Sequence, residues 1–329
     1  MVKSNGFEIN HKRLALVMRT VYDALKKRQG IFEKDPKMFL PQWNLPAELE
    51  FSPMKTETVD PEKAAIFLFL RNQLDRRQSS SSLHKKVMAG WYDSQINWIF
   101  DSKQVSQREL SDIEYVFREK LGSNLPVHPK MSIAQGYFIN CRSLNEIYDS
   151  DPRNLVRYKT VYEARKHIMN LHGFGTGLAN LFMIELFTRA IAQPTDSYNL
   201  RPKIDVHKAR VPINSEVVAL PRGKGLKHAG KGLIHMGTIA KLLENAYVEV
   251  AKAEGIPIVE TEQALWIIGS RVCTKRNYVS CRQNCPLVDR VCTAMTPLSV
   301  EAKGYYILKN PQGQRPDDRN ELGQGVLDV

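Results

Sequence analysis

Apolar residues recur at helical spacing through most of the chain. Leu14, Val17, Met18, Val21 and Leu25 fall three or four positions apart and predict a helix over about 11–27. The proline-dotted stretch 35–58 reads as a linker or surface wrap. At Pro61 a proline suited to a first helical turn precedes Ala64, Ala65, Phe67, Leu68 and Leu70, so a helix buried in a core begins there. The helical pattern continues over 83–121, where Ser106 and Glu109 have the spacing of a capping box that would open a helix over 107–121. Further helices are predicted at 131–141, 144–148, 161–171, 178–191, 238–253 and 261–272. Trp91, Tyr92 and Trp98 are expected in the core, since aromatic side chains bury large areas. Strand-like alternation does not persist, no repeat is visible, and residues 293–329 read as an irregular tail. The expected fold class is all-α.

Composition narrows the partners. The 329 residues are 43% hydrophobic and 25% charged, as in soluble globular proteins. The most apolar run, 64–70, is too short to cross a bilayer, and the N-terminal stretch lacks the apolar core of a signal peptide, so an intracellular protein with no membrane contact is expected. A net charge of +12 and a pI near 9.4 favour a polyanionic partner, because Lys and Arg release counterions from phosphates, although many basic proteins bind no nucleic acid. Five cysteines in such a chain do not suggest disulfides. Four fall within 273–292 while Cys141 stands apart, which suggests four ligands and one bystander.

Two stretches carry candidate chemistry. In LHGFGTGLA (171–179), Gly173, Phe174 and Gly175 make a tight hairpin between two helical runs. It is either only a turn or a clamp whose backbone N–H groups, left unpaired at a helix start, approach phosphate closely. In KIDVHKARV (203–211), Asp205 is either a helix cap or a functional carboxylate. The cysteine spacing C-x7-C-x3-C-x6-C, from Cys273, Cys281, Cys285 and Cys292, suits a [4Fe-4S] cluster or a tetrahedral zinc.

Taken in this order, the hairpin, IDVHKARV and the cysteine set resemble the iron-sulfur DNA glycosylases of the helix-hairpin-helix superfamily, the endonuclease III and adenine glycosylase group, from about Pro61 to Cys292. The resemblance implies a two-lobed helical fold with a C-terminal cluster loop and the active site between the lobes. It divides the chain into an N-terminal helix and wrap (1–60), a helical lobe ending in the hairpin (61–190), an aspartate, basic-loop and cluster segment (191–292), and the tail (293–329), with the first and third forming one composite lobe. It also implies a [4Fe-4S] cluster on the four cysteines, with TEQALWIIGSRVC and CPLVDRVC as flanking text and zinc as the alternative, and a structural task for that cluster. Double-stranded DNA is the implied partner, and the protein is expected to act as a monomer. Asp205 takes the catalytic place, where a carboxylate stabilises an oxocarbenium-like sugar. DNA contacts are implied at Gly173, Phe174, Gly175, Gly177, His207, Lys208 and Arg210, with Gln73 either filling the gap left by an extruded base or merely solvated. The basic, serine-rich stretch 76–86 is a further candidate for phosphate contact.

Departures from the family pattern refine the expectation. Where lyase members carry a lysine in LPGVGRKTA, this chain has Gly177, so a monofunctional glycosylase that uses water and leaves an abasic site is expected. His172 stands where proline is usual. The cysteine gaps are each one residue longer than the family's C-x6-C-x2-C-x5-C. Extra length before Asp205, with Tyr198 available to stack on a flipped base, and the Gly/Lys-rich stretch 221–237 are either surface insertions or substrate-reading elements. An enlarged or modified pyrimidine, as in defence against phages with modified DNA, is a permissible substrate. The rival readings are a non-catalytic DNA-binding protein that keeps the hairpin and cluster, and a lyase whose amine is Lys203 or Lys208.

Overall fold

The computed structural model describes residues 8–35, 39, 44–50, 60–75, 80–123, 126–128, 130–219, 233–273, 278–288, 290–292, 300–301 and 305–307. Most of the proline-dotted wrap and of the Gly/Lys-rich stretch, residues 76–79, and most of the tail lie outside the described residues. Helix dominates: α1 His11–Lys26, α2 Pro61–Leu74, α3 Ser80–Tyr92, α4 Ser102–Ser106, α5 Leu110–Tyr115, α6 Ile133–Ile147, α7 Val161–Met169, α8 Thr176–Thr188, α9 Val206–Asn214, α10 Met236–Glu254, α11 Ile258–Ile267 and α12 Tyr278–Asn284. Short strands β1 Glu8–Ile9, β2 Pro126–His128, β3 Met131–Ser132, β4 Val218–Ala219, β5 Leu233–His235, β6 Val300–Glu301 and β7 Tyr305–Ile307 form the antiparallel pairs β1–β4 and β2–β3 and a sheet in the order β5–β7–β6. The stretch expected to be an irregular tail therefore carries two strands, one of them the β-favouring Tyr-Tyr-Ile run. Among the described residues no helix is long and apolar enough to cross a membrane.

The chain divides into two compact units, residues 40–200 and residues 1–39 with 201–329. These boundaries differ from the expected 60/61 and 190/191 for physical reasons. Leu45 and Leu49 are buried, and Glu48 accepts hydrogen bonds from Trp91 and Tyr92 on α3. At the other end Thr195 N–H donates to the Lys159 carbonyl at 2.8 Å, Val161 N–H to Asp196 Oδ1 at 2.6 Å, and Leu200 is fully buried.

In the 40–200 unit, α2 is the central element. Asp60 caps it by accepting the N–H groups of Glu62 and Lys63, Pro61 opens its first turn, and every residue from Ala64 to Leu74 is buried. A helix apolar around its circumference belongs inside a core, and α8, α3 and α6 pack around this one. Phe69 lies nearly parallel to Phe174 of the hairpin, with centroids 5.2 Å apart, and meets Phe182 of α8 edge-on at 5.9 Å. At its polar end Arg71 pairs with the fully buried Glu185, whose other oxygen accepts Asn72 Nδ2 at 2.6 Å. Burial, then the nearby Arg189 cation, brings the Arg71 guanidinium down to about 9, and burial with both arginines brings His84 down to about 4.

Several local expectations need correction. The Ser106–Glu109 capping box does not form. Asp101 caps α4, the Ser106 hydroxyl bonds back to the Lys103 carbonyl at 2.8 Å and ends that helix, and α5 begins at Leu110 without a side-chain cap. A capping box does open α7, between Thr160 and Glu163. The two helices expected over 131–148 are one, because Tyr137, Cys141 and Leu144 continue a single buried stripe. Trp98 is buried and Trp91 packs edge-on against Phe67 and Phe100, but Tyr92 is 57% exposed with its hydroxyl donating to Glu48.

In the other unit, the apolar stripe of α1 (Leu14, Val17, Met18, Val21, Ala24) packs on α10 and α11. Arg13 fastens the N-terminal segment further by donating to the carbonyls of Ser215 and, at 2.7 Å, Val291.

The buried pair yields a stability prediction. Glu185→Gln leaves the Arg71 cation without its counter-charge in a dry site and should cost about 3–5 kcal/mol in urea unfolding, as breaking a buried ion pair does. A loss under about 1 kcal/mol would show that the pair is not closed to water.

Candidate functional site

In the 40–200 unit the hairpin follows α7. Gly173 has φ +88°, a left-handed conformation that favours glycine, and Phe174 N–H reaches back to the Leu171 carbonyl at 3.2 Å. Gly175 is the N-cap of α8, no side chain caps that helix, and a Cβ built at Gly175 meets nothing within 4 Å. The helix start therefore opens onto space. Val127, Met131, Met169, His172 and the hairpin border a shallow cavity of ≈ 630 Å³. Phe174, by contrast, is only 4% exposed, anchored on Phe69. Gly177 lies in the first turn of α8.

Gln73 is not placed to fill a gap in DNA. It is fully buried, its Nε2 donates to the His172 carbonyl at 2.9 Å, and its Oε1 accepts Asn140 Nδ2 at 2.8 Å. Asn140 also donates to the His172 carbonyl and accepts the His172 N–H, both at 2.8 Å. Together the two amides clamp the two peptide groups that flank His172 at the start of the hairpin. The departure from proline thus has a mechanism, since proline has no N–H to give Asn140.

In the other unit Asp205 is the N-cap of α9. Its Oδ1 accepts Lys208 N–H at 2.9 Å and its Oδ2 accepts Trp266 Nε1–H, from α11, at 3.0 Å. The residue is half-buried. Burial pushes the carboxyl upward, but the charges of Lys208, His207 and Lys203 and the Lys208 amide outweigh it and hold the group below its ordinary range. His207 meets Trp266 edge-on with centroids 5.4 Å apart, and burial lowers its imidazole, partly offset by Asp205.

Lys208 and Arg210, implied as DNA contacts, are turned inward. Lys208 is 2% exposed and ion-paired with Glu262, while Arg210 is 8% exposed and donates to the Gly269 carbonyl at 2.7 Å. The same pairing holds the Lys208 amine against Glu262. Burial raises Glu262, with Lys208 opposing it. Gly269 is required by close packing, since a Cβ there would sit 1.9 Å from the His207 carbonyl oxygen. Trp266 and Glu262 were not anticipated as site residues. Their available signal was spacing alone, an acid and an indole four positions apart in a helical run, which places both on one face.

Cys273 follows a π-helical turn, Ile268–Val272, Cys281 lies in α12, and Cys285 and Cys292 follow it. All four are partly buried and unpaired by disulfides. Cys285 N–H donates to the Cys281 carbonyl at 2.8 Å, and the Cys292 thiol to the Asn214 carbonyl at 3.5 Å. Burial, then the charges of Cys285, Cys292 and Cys281, push the Cys273 thiol well up, and burial chiefly pushes Cys285 up to about 12. The four thiols thus lie within electrostatic reach of one another. Among the described residues no three His, Cys, Asp or Glu side chains close into a metal-binding group. Four thiols are nonetheless the donor chemistry that iron-sulfur clusters and zinc take. Cys141 is fully buried in α6, apart in sequence and in the other unit. Tyr198 stands 68% exposed on the turn Ser197–Asn199.

No protein-family model matches the chain, and no curated protein matches it.

The tight contact at Gly269 gives a second prediction. Gly269→Ala forces α9 away from the π turn and should cost about 1–3 kcal/mol as overpacking does. An unchanged thermal midpoint would mean that the two segments separate freely.

Proposed function

We propose that this protein is a DNA glycosylase of the helix-hairpin-helix, iron-sulfur kind, which hydrolyses the N-glycosidic bond of a damaged or modified base and leaves an abasic site. The observation that carries the reading is the carboxylate of Asp205: half-buried, ionised, and held by N–H donors from two helices. A fixed negative charge in a partly dry site opposes the positive charge that builds on a sugar as its base departs. The uncapped start of α8 after the Gly173–Gly175 turn supports phosphate binding through backbone N–H groups, and the +12 net charge supports a polyanionic partner. Gly177 at the lyase position supports the monofunctional outcome. His207 is half-buried beside the carboxylate, with Arg210 Nη1 3.4 Å from its ring Nδ1. An enlarged or modified pyrimidine is the substrate class that the extra length around Asp205 would suit.

Cys273, Cys281, Cys285 and Cys292 would hold a [4Fe-4S] cluster, zinc being the alternative. The cluster's contribution is structural, since base hydrolysis transfers no electrons. It would tie α12 and the segment after it to the end of the π turn.

Two tests follow. Asp205→Asn should keep fold and DNA affinity yet lose base release by about 100- to 1000-fold under single-turnover conditions, the cost of removing one well-placed electrostatic stabiliser. Wild-type protein should leave strands that break only after alkali or heat. Base release by the variant at the wild-type rate would remove Asp205 from catalysis, and a borohydride-trapped adduct would overturn the monofunctional reading. Protein purified without oxygen should be brown, with about four irons per chain, and Cys141→Ser should leave that colour intact. A colourless protein with one zinc would replace the cluster by zinc.

A further inference from the structure

We propose that Trp266 is a positioning residue for Asp205. Its indole N–H fixes the second carboxylate oxygen, so that Asp205 works as a fixed charge beside the sugar and not as a base that deprotonates water early. The inference rests on the reading of Asp205 as the catalytic carboxylate.

The geometry supplies the division of labour. A capping aspartate ordinarily spends one oxygen on its own helix and leaves the other to water. Here Oδ1 is spent on α9 through Lys208 N–H, and Oδ2 is met by Trp266 from α11 at 3.0 Å. Two donors on two separate elements set the carboxylate plane, which one cap bond cannot do. An indole N–H suits this task because it is a donor only. It keeps its role at every pH at which the protein folds, whereas a histidine in that place would change with protonation. The ring is itself held, with His207 against its edge at 5.4 Å.

The cationic groups around the carboxylate act in the same direction, with Glu262 opposing them. Lys203, His207 and Lys208 face it from its own segment. From α11 come Trp266, which is neutral, and Glu262, whose charge is matched by Lys208. Arg210 points elsewhere, to the Gly269 carbonyl. Hydrogen bonds to the charged form lower a carboxylate's basicity. A weakly basic carboxylate favours a dissociative order of events. The C1′–N bond breaks with its electron pair passing to the base, which takes a proton from solvent. Water then forms the C1′–O bond and gives up its own proton to solvent. Asp205 stabilises the cation between these steps.

The test uses wild-type protein and two variants. In the wild type, the indole ¹⁵N–¹H resonance of Trp266 should titrate together with the Asp205 carboxyl, and in Asp205→Asn that pH dependence should vanish. Trp266→Phe keeps the ring and removes only the donor. It should move both the Asp205 titration and the acidic limb of single-turnover base release to higher pH and slow release about tenfold, the worth of one hydrogen bond to a charged group, with DNA affinity unchanged. The sign follows from the loss of a bond that favours the charged form. A Trp266 resonance indifferent to Asp205 in the wild type overturns the proposal even if the variant fails to fold, and so does an unmoved acidic limb in a folded Trp266→Phe. If the resonances couple but no base is ever released from any duplex, the positioning contact stands and the glycosylase reading falls.

Discussion

Lys208 is a charged residue with almost no access to water, and such a charge must be met inside the protein. Glu262 meets it, which ties α9 to α11. The consequences pass along both helices. Lys208 contributes its backbone N–H to Asp205, so the residue whose amine is pinned by the ion pair is also the residue that orients the carboxylate. Glu262 sits one turn before Trp266 on α11, so the same pair brings the indole to the carboxylate's other oxygen. Removing either partner would leave an uncompensated buried charge, and the arrangement around Asp205 would be lost with it. The ion pair supplies registry between two helices more than net stabilisation.

Helices with a clean apolar stripe were legible in the sequence to within a few residues. The α1 boundary falls at Lys26 against an expected end near 27, and Pro61 opens α2 as its chemistry predicts. The place of Asp205 at a helix start was also legible, since aspartate is a favoured cap. Side-chain direction was not. Gln73, Lys208 and Arg210 are polar and were read as facing outward, yet each points into a partner more than fifty residues away in sequence: His172, Glu262 and Gly269. Local pattern holds no record of such partners. The same limit hid Trp266 and Asn140, whereas Ser106 passed for a cap for a local reason, since its hydroxyl bonds back to the Lys103 carbonyl three residues earlier.

The buried cations also change the meaning of the net charge. A count of +12 suggests a broad basic surface, but Arg71, Lys208 and Arg210 are buried, and Arg153 is held by Asp151 and Glu62. Those four charges hold helices in place. Because Glu185, Glu262, Asp151 and Glu62 are withdrawn along with them, the excess of positive charge is nearly unchanged while fewer lysines and arginines carry it.

The clamp on both sides of His172 stiffens the turn by an unusual route. A proline limits the freedom of the unfolded chain, so it shapes a turn before anything has packed. Here the constraint exists only once α2 and α6 have come together and offered Gln73 and Asn140. The turn's shape is therefore conditional on the assembly of the core beneath it, and a displacement of either helix would be conveyed to the glycines through two side-chain amides. The hairpin is in this sense a gauge of its own foundation, firm when the helices below are seated and loose when they are not.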